Sequence, residues 1–114
     1  LAALSRGDRV GVIALGPRSI VRHLRYLRQL GLIERLAGER PLNLSVADSE
    51  RPEAVDRLLE VGAALRDTDG ADVLVLGCAG MARHRRALEA ALSLPVIDPT
   101  QAATADALGA VLLA

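Results

Sequence analysis

The sequence predicts an α/β fold with a four-stranded parallel sheet and helices on both faces. Short apolar runs alternate along the chain with longer segments that have helical periodicity. Four strands, each followed by a helix, are typical of a parallel sheet with right-handed crossovers. The 114 residues are enough for one small domain with its own hydrophobic core.

Four segments are predicted to be strands because their apolar residues lack a helical period. Residues 73–76 form an unbroken apolar run, short enough to be a strand buried on both faces. Residues 41–46 alternate between apolar and other side chains, which favours a strand at the edge of the sheet. The predicted strands are residues 9–15, 41–46, 72–76 and 94–97.

Helices are predicted between and after these strands. In residues 20–30, apolar side chains share one face and arginines another, and Gly31 can end the helix. In the last helix, Asp98 can cap the N-terminus and Pro99 can occupy the first helical position. The predicted helices are residues 20–30, 52–67, 81–93 and 101–113, and residues 32–40 and 47–51 are expected to be connections.

The composition disfavours several classes of function. Fourteen basic and fourteen acidic residues give no net charge, which argues against nucleic acid as the main partner. No apolar run approaches the ~18 residues of a membrane span, so no membrane partner is expected. A single cysteine cannot form an internal disulfide, which indicates a reducing, cytoplasmic setting. The sequence has no glycine-rich nucleotide motif and no metal-ligand spacing, so nucleotide and zinc enzymes are disfavoured.

The clearest candidate for chemistry is Cys78, which directly follows a predicted buried strand and precedes a predicted helix. A thiolate is favoured at a helix N-terminus, where it can act as a nucleophile or as a base that removes a proton from carbon. Ala79 and Gly80 carry almost no side chain, which would leave their backbone N–H groups open to a ligand. The alternative is that Cys78 is a small buried hydrophobe that ends a core strand.

Three other positions lie at or near the same predicted edge of the sheet. Ser19 and the neighbouring N–H groups could hold a carboxylate or carbonyl oxygen, or Ser19 could simply cap a helix. Arg18 could pair with an anionic substrate or belong to a solvated arginine stripe. Asp98 follows the fourth strand. Capping of the last helix is sufficient to explain an aspartate at this position, and a role in the functional site is the alternative. His84 is expected to face solvent.

Two motifs carry a family resemblance. Residues 70–81 are Gly-Ala-Asp-Val-Leu-Val-Leu-Gly-Cys-Ala-Gly-Met, and residues 94–99 are Leu-Pro-Val-Ile-Asp-Pro. Together with residues 9–13 and 18–20, they resemble the C-terminal half of the aspartate/glutamate/hydantoin racemase superfamily. Ala-Gly after the cysteine replaces the Thr-His of the amino-acid racemases, which favours the hydantoin and allantoin racemase branch.

The resemblance implies a flavodoxin-like half of a two-domain racemase that needs no cofactor. In this family, two cysteines from two similar domains face the substrate α-carbon from opposite sides, and Cys78 would be the second of them. The substrate would be a hydantoin or an amino-acid-like carbon acid. The resemblance and the turn geometry give these candidate substrate-binding residues: Gly16, Pro17, Arg18, Ser19, Gly77, Ala79 and Gly80.

The family's first domain and its cysteine are missing from this sequence. We therefore expect either a fragment of a longer enzyme or the pairing of two copies through Cys78. Residues 1–98 would form the second-domain equivalent, and residues 99–114 a helix that packs on the missing first domain. The apolar side chains of that helix would then promote homo-oligomerisation. The alternatives are a single-cysteine enzyme similar to arylmalonate decarboxylases and a non-catalytic module that binds a small ligand.

Overall fold

A computed structural model describes all 114 residues and contains one four-stranded parallel sheet. The central strand β1 pairs with β2 on one side and with β3 on the other, and β4 pairs with β3. The sheet order is therefore β2-β1-β3-β4, and the predicted α/β class is confirmed. The strands are β1 Val10–Ala14, β2 Leu36–Pro41, β3 Val73–Leu76 and β4 Val96–Ile97.

Five α-helices and three short 3₁₀ segments connect and cover the strands. The α-helices are α1 Pro17–Gln29, α2 Val46–Ser49, α3 Ala54–Asp67, α4 Arg85–Leu92 and α5 Pro99–Leu112. The 3₁₀ segments are Ala2–Ser5, Ile33–Arg35 and Ala79–His84. None of the helices combines the length and the apolar composition that are needed to cross a bilayer.

The main hydrophobic core lies on the face of the sheet that α3 and α4 cover. Ile13 and Leu74 pack there against Leu58 and Leu65 of α3, and all four side chains are fully buried. Successive side chains of a strand point to opposite faces, so the apolar run of β3 also supplies the second face. This arrangement explains why β3 has no polar residue.

The opposite face of the sheet is covered less completely. Val10, Val12 and Val75 line a groove of about 180 Å³ there, together with Leu27 of α1 and Leu4 of the first 3₁₀ segment. No residue of α1 is fully buried. Helices therefore lie on both faces, as predicted, but only the face under α3 and α4 is closed.

The prediction of the second strand was wrong. The strand starts at Leu36, five residues earlier than the predicted start at residue 41, and it ends at Pro41. Leu42 is fully buried and its N–H donates to the Ala14 carbonyl at 2.7 Å, but it lies in the connection after β2. Val46 begins α2 rather than ending a strand. The expected edge position of the second strand is confirmed.

The segment after Cys78 also differs from the prediction. Residues 79–84 form a 3₁₀ segment, and the α-helix begins only at Arg85 rather than at residue 81. His84 was expected to face solvent, but it is 4% exposed and its Nε2 lies 3.0 Å from the Ser49 carbonyl oxygen. Arg83 donates to the Glu50 carbonyl at 2.8 Å. These bonds to α2 and the residue after it hold the 3₁₀ segment in place.

The last helix begins as the sequence predicts. The Asp98 side chain accepts a hydrogen bond from the Gln101 N–H at 2.8 Å, and Pro99 is the first helical residue. No residue of α5 is buried. Large apolar side chains near its end are well exposed, including Leu108, Val111 and Leu112.

Candidate active site

The carboxyl ends of β1 and β3 lie side by side at one edge of the sheet. The Gly77 N–H donates to the Ile13 carbonyl oxygen at 2.8 Å and ties the end of β3 to β1. The turn after β1, which begins near Gly16, and the turn after β3, which contains Cys78, therefore share this edge. Parallel α/β sheets bind their ligands along this edge.

Cys78 is a half-buried free thiol at the start of the 3₁₀ segment. Its backbone is extended, with φ −147° and ψ 137°, and its carbonyl accepts from the Met81 N–H at 3.1 Å. The side chain packs against the main core, and no hydrogen bond reaches its sulfur. The residue thus contacts the core without being fully buried.

The α-helix that was expected directly after Cys78 starts further along the chain. Six residues of 3₁₀ segment separate Cys78 from α4, and the dipole effect falls off within a turn. What remains at Cys78 is a set of backbone donors, because the first amides of a helical segment have no partner within it.

Two glycines on either side of Cys78 allow close packing of this turn. A Cβ on Gly77 would lie 2.5 Å from the Ile13 carbonyl oxygen, and one on Gly80 would lie 2.7 Å from Ser49 Oγ. Gly77 is therefore fixed against the sheet and Gly80 against α2. Ala79 lies between them and is exposed.

The turn after β1 starts α1 earlier than predicted. Gly16 is the N-cap, with φ −156° and ψ 175°, and Pro17 is the first helical residue. Ser19 is not the cap, because it lies inside the first turn, where its N–H donates to the Gly16 carbonyl at 3.1 Å. Arg18 is exposed and makes no ion pair.

A histidine–glutamate pair next to the Cys78 turn was not predicted. His23 Nδ1 of α1 is hydrogen-bonded to Glu39 Oε2 of β2. A Cβ on Gly77 would lie 3.4 Å from His23 Cε1, so the imidazole ring lies against the residue that precedes Cys78. The Glu39 side chain is 2% exposed and its Oε1 has no hydrogen-bond partner. Burial raises the pKa of Glu39, and the hydrogen bond with His23 partly offsets this effect.

His84 and Asp98 have other partners in this structure. The His84 ring binds the Ser49 carbonyl, so the structure contains no hydrogen-bonded cysteine–histidine pair. The Asp98 carboxylate is 1% exposed; one oxygen caps α5 and the other has no partner. Asp98 also lines a cleft of about 260 Å³ between the first 3₁₀ segment and α5, and Cys78 is not among the residues that line this cleft.

Comparison with known protein families identifies the class of protein. Residues 1–107 match the family model described as Asp/Glu/Hydantoin racemase. The match covers nearly the whole chain, and the chain therefore belongs to this racemase family. The resemblance inferred from residues 70–81 and 94–99 is confirmed.

Two of the individual proteins that resemble this chain are bacterial hydantoin racemases. The hydantoin racemase of Paenarthrobacter aurescens is 39% identical over 95 residues, which cover 81% of this chain and 40% of the relative. The hydantoin racemase of Pseudomonas sp. (strain NS671) is 35% identical over 92 residues, which cover 79% of this chain and 37% of the relative.

Two solved structures with the same fold are allantoin racemases. The enzyme from Klebsiella pneumoniae superposes with a TM-score of 0.88 at 30% identity, over 98% of this chain and 46% of that chain. The enzyme from Pseudomonas fluorescens gives a TM-score of 0.85 at 29% identity, over 98% of this chain and 48% of that chain. The present chain thus spans less than half the length of these relatives.

Proposed function

We propose that this chain is the Cys78-bearing half of a cofactor-independent racemase that acts on a hydantoin or a related carbon acid. The observation that carries the proposal is the free, half-buried thiol at the carboxyl end of β3, in a chain that aligns with hydantoin racemases over most of its length. The class is an isomerase, and Cys78 is its proposed catalytic residue.

The proposed chemistry is proton transfer at the substrate α-carbon. The Cys78 thiolate removes the proton, and negative charge then develops on the neighbouring carbonyl oxygen. Backbone N–H groups placed at that oxygen lower the barrier, because they stabilise the charge as it forms. Racemisation also needs an acid on the opposite face of the carbon. We place that acid in the part of the enzyme that this chain does not contain.

The two turns at the sheet edge supply the proposed substrate contacts. The amides of Ala79 and Gly80 begin the 3₁₀ segment, where the first donors are free of partners within the segment. Gly77 acts as a spacer, since its own N–H already donates to Ile13. The turn of Gly16, Pro17, Arg18 and Ser19 contributes the start of α1, and the exposed guanidinium of Arg18 suits an anionic group.

We further propose that the whole enzyme is a cytoplasmic homo-oligomer that has no nucleic-acid or membrane partner. Residues 1–98 form the domain unit of this chain, and residues 99–114 pack on the first domain of the complete enzyme. This part of the proposal is supported by α5, which buries none of its residues and exposes Leu108, Val111 and Leu112.

The test is α-proton exchange of 5-substituted hydantoins in deuterium oxide, followed by NMR and chiral chromatography. The chain or the full-length enzyme is compared with its Cys78→Ala and Cys78→Ser variants, and with Arg86→Ala as a control at an exposed position. We expect exchange that both Cys78 variants lose and the control keeps. Full exchange activity in Cys78→Ala would contradict the proposed mechanism.

The stereochemical result distinguishes the alternatives. Exchange with inversion means that a second acid reaches the opposite face of the α-carbon. Exchange without inversion means that Cys78 works from one face alone, as in a single-cysteine enzyme. A chain that binds the hydantoin without exchanging its proton, both alone and in the full-length enzyme, is a binding module.

A further inference from the structure

The basic side chains of this protein are unevenly distributed. All fourteen are arginines, and α1 carries four of them without a single acidic residue. Six of the other ten arginines form ion pairs with Asp or Glu. The α1 arginines form none, and all are exposed. These residues, the arginine stripe, are Arg18, Arg22, Arg25 and Arg28.

The arginine stripe has the composition and shape of an interaction surface. The four residues follow one another at spacings of four, three and three residues. They therefore extend about 15 Å along the helix axis and cover about a third of the helix circumference. Val21 lies within the stripe and Tyr26 beside it, and they are 62% and 60% exposed. Arginine and tyrosine are enriched in protein interfaces. The like charges repel one another along the free helix, and an anionic partner would remove that repulsion.

The complementary charge lies in residues 48–60. This segment, the acidic segment, contains five acidic residues and two arginines. Both arginines are already paired, Arg51 with Asp48 and Arg57 with Glu60. The remaining three acidic residues are exposed and have no ion-pair partner. They are Glu50, Glu53 and Asp56.

The two surfaces do not pair within one molecule. The helix α1 lies on the face of the sheet with the open groove, whereas the acidic segment leads into α3 on the face with the main core. The chain as a whole has no net charge, so two copies are not kept apart by overall repulsion. We propose that the arginine stripe of one copy docks on the acidic segment of a second copy of this chain.

This contact joins two different surfaces and is therefore heterologous. Each added copy leaves one arginine stripe and one acidic segment free, so association continues with concentration unless a ring closes. The contact depends on charge, so it weakens as salt shortens the Debye length. It does not involve Cys78, and Arg18 is the only residue that it shares with the proposed substrate contacts.

The test uses amide NMR spectra and light scattering of the ¹⁵N-labelled 114-residue chain over a concentration series. The spectra are compared at about 0.01 M and about 1 M sodium chloride, where the Debye length is about 30 Å and about 3 Å. At low salt we expect concentration-dependent shifts in residues 18–28 and 48–60, together with a rise in mean molecular mass. At high salt the shifts should disappear, because the contact depends on charge.

Two double variants with the same change in net charge give the control. R22E/R25E reverses the middle of the arginine stripe, and it should abolish both sets of shifts. Its fold is protected because both positions are exposed and the new carboxylates lie within one turn of Arg18 and Arg28. R6E/R86E alters two exposed, unpaired arginines outside α1, and it should keep the shifts.

Three results would overturn the proposal. The first is the absence of shifts in both segments at low salt. The second is a set of shifts in these two segments that persists in R22E/R25E or at high salt, because charge would then not hold the contact. The third is a shift of α1 amides on addition of poly-L-glutamate without any effect of chain concentration. In that case the arginine stripe binds another polyanion rather than a second copy.

Discussion

Replacing Gly77 with alanine tests how the sheet holds the Cys78 turn. A Cβ at this position would lie 2.5 Å from the Ile13 carbonyl oxygen and 3.3 Å from Ala14 Cα. Both atoms belong to the backbone of the central strand, which cannot move aside as a flexible side chain would. The clash is relieved only if residue 77 moves away, and this movement breaks the 2.8 Å hydrogen bond from its N–H to Ile13.

The size of the effect follows from these two contacts. The lost hydrogen bond contributes about 0.5–1.5 kcal/mol to stability. Overpacking a well-packed site costs about 1–3 kcal/mol. We therefore expect Gly77→Ala to lower the free energy of unfolding by about 1.5–4.5 kcal/mol, a substantial part of the roughly 5–15 kcal/mol typical of a domain.

The assay is urea denaturation followed by far-ultraviolet circular dichroism, with Gly16→Ala as the matched control. Gly16 lies in the neighbouring turn, has no atom within 4 Å of a built Cβ, and has an extended backbone. Its replacement should change stability by less than about 1 kcal/mol. A second readout is alkylation of Cys78, which should become faster as the turn moves away from the core. A Gly77→Ala protein within about 0.5 kcal/mol of the wild type would refute the reasoning.

Three further predictions concern single residues. Burial raises the pKa of Glu39 above the usual 4.5, so the fold favours the protonated carboxyl group. As the pH rises from 4.5 through the raised pKa, the wild type should lose stability relative to Glu39→Gln. Urea denaturation of both proteins at each pH measures this difference. Gly109 lies inside α5 with no atom within 4 Å of a built Cβ, so Gly109→Ala should raise the helix content seen by circular dichroism and stabilise α5 by about 0.5–1 kcal/mol. The Asp72 carboxylate accepts hydrogen bonds from the backbone N–H of Arg9, at 2.8 Å, and from that of Asp8, and both bonds lower its pKa. Asp72→Ala should therefore lower the free energy of unfolding, measured by urea denaturation at pH 7, by about 0.5–1.5 kcal/mol. The difference from the wild type should shrink below pH 3.8, because the wild-type carboxylate is then protonated.

The elements that were predicted well carry their signal locally. The run of residues 73–76 is apolar because both of its faces are covered, and this requirement leaves few alternatives to a central strand. Asp98 and Pro99 mark the start of α5 because capping and the fixed proline φ depend only on neighbouring residues. The shared edge of Gly16 and Cys78 was predicted because each follows a strand of a parallel sheet, and the carboxyl ends of such strands meet at one edge.

The second strand was misplaced because the alternating apolar residues that predicted it lie after the strand, where they pack in a connection. The edge strand β2 pairs with one neighbour, and that pairing needs backbone hydrogen bonds rather than apolar side chains. The strand therefore tolerates Gly38, Glu39 and Arg40. The apolar residues that follow it, such as Leu42, are buried under α3 in a connection. The alternation of apolar residues in 41–46 therefore predicted the burial of Leu42 correctly, but it was wrong in indicating that the segment pairs as a strand.

The histidine contacts could not be derived from local patterns alone. His84 lies among three arginines in the sequence. Its burial depends on α2, where its hydrogen-bond partner Ser49 lies 35 positions away in the chain. His23 did leave a signal, because it falls three residues after Ile20 and four before Leu27, on the apolar face of α1. A polar residue on that face requires a partner. The partner, Glu39, lies on another element and only the fold identifies it.

The exposure of α5 has a consequence for the cooperativity of unfolding. A helix of 14 residues with no buried side chain is held mainly by its own hydrogen bonds and its Asp98 cap, and isolated helices of this length are marginal in water. Such a segment can unfold before the sheet does, in a separate step of small free energy. The denaturant m-value, which scales with the surface exposed in the cooperative transition, should then report the unfolding of residues 1–98 and very little of the last helix.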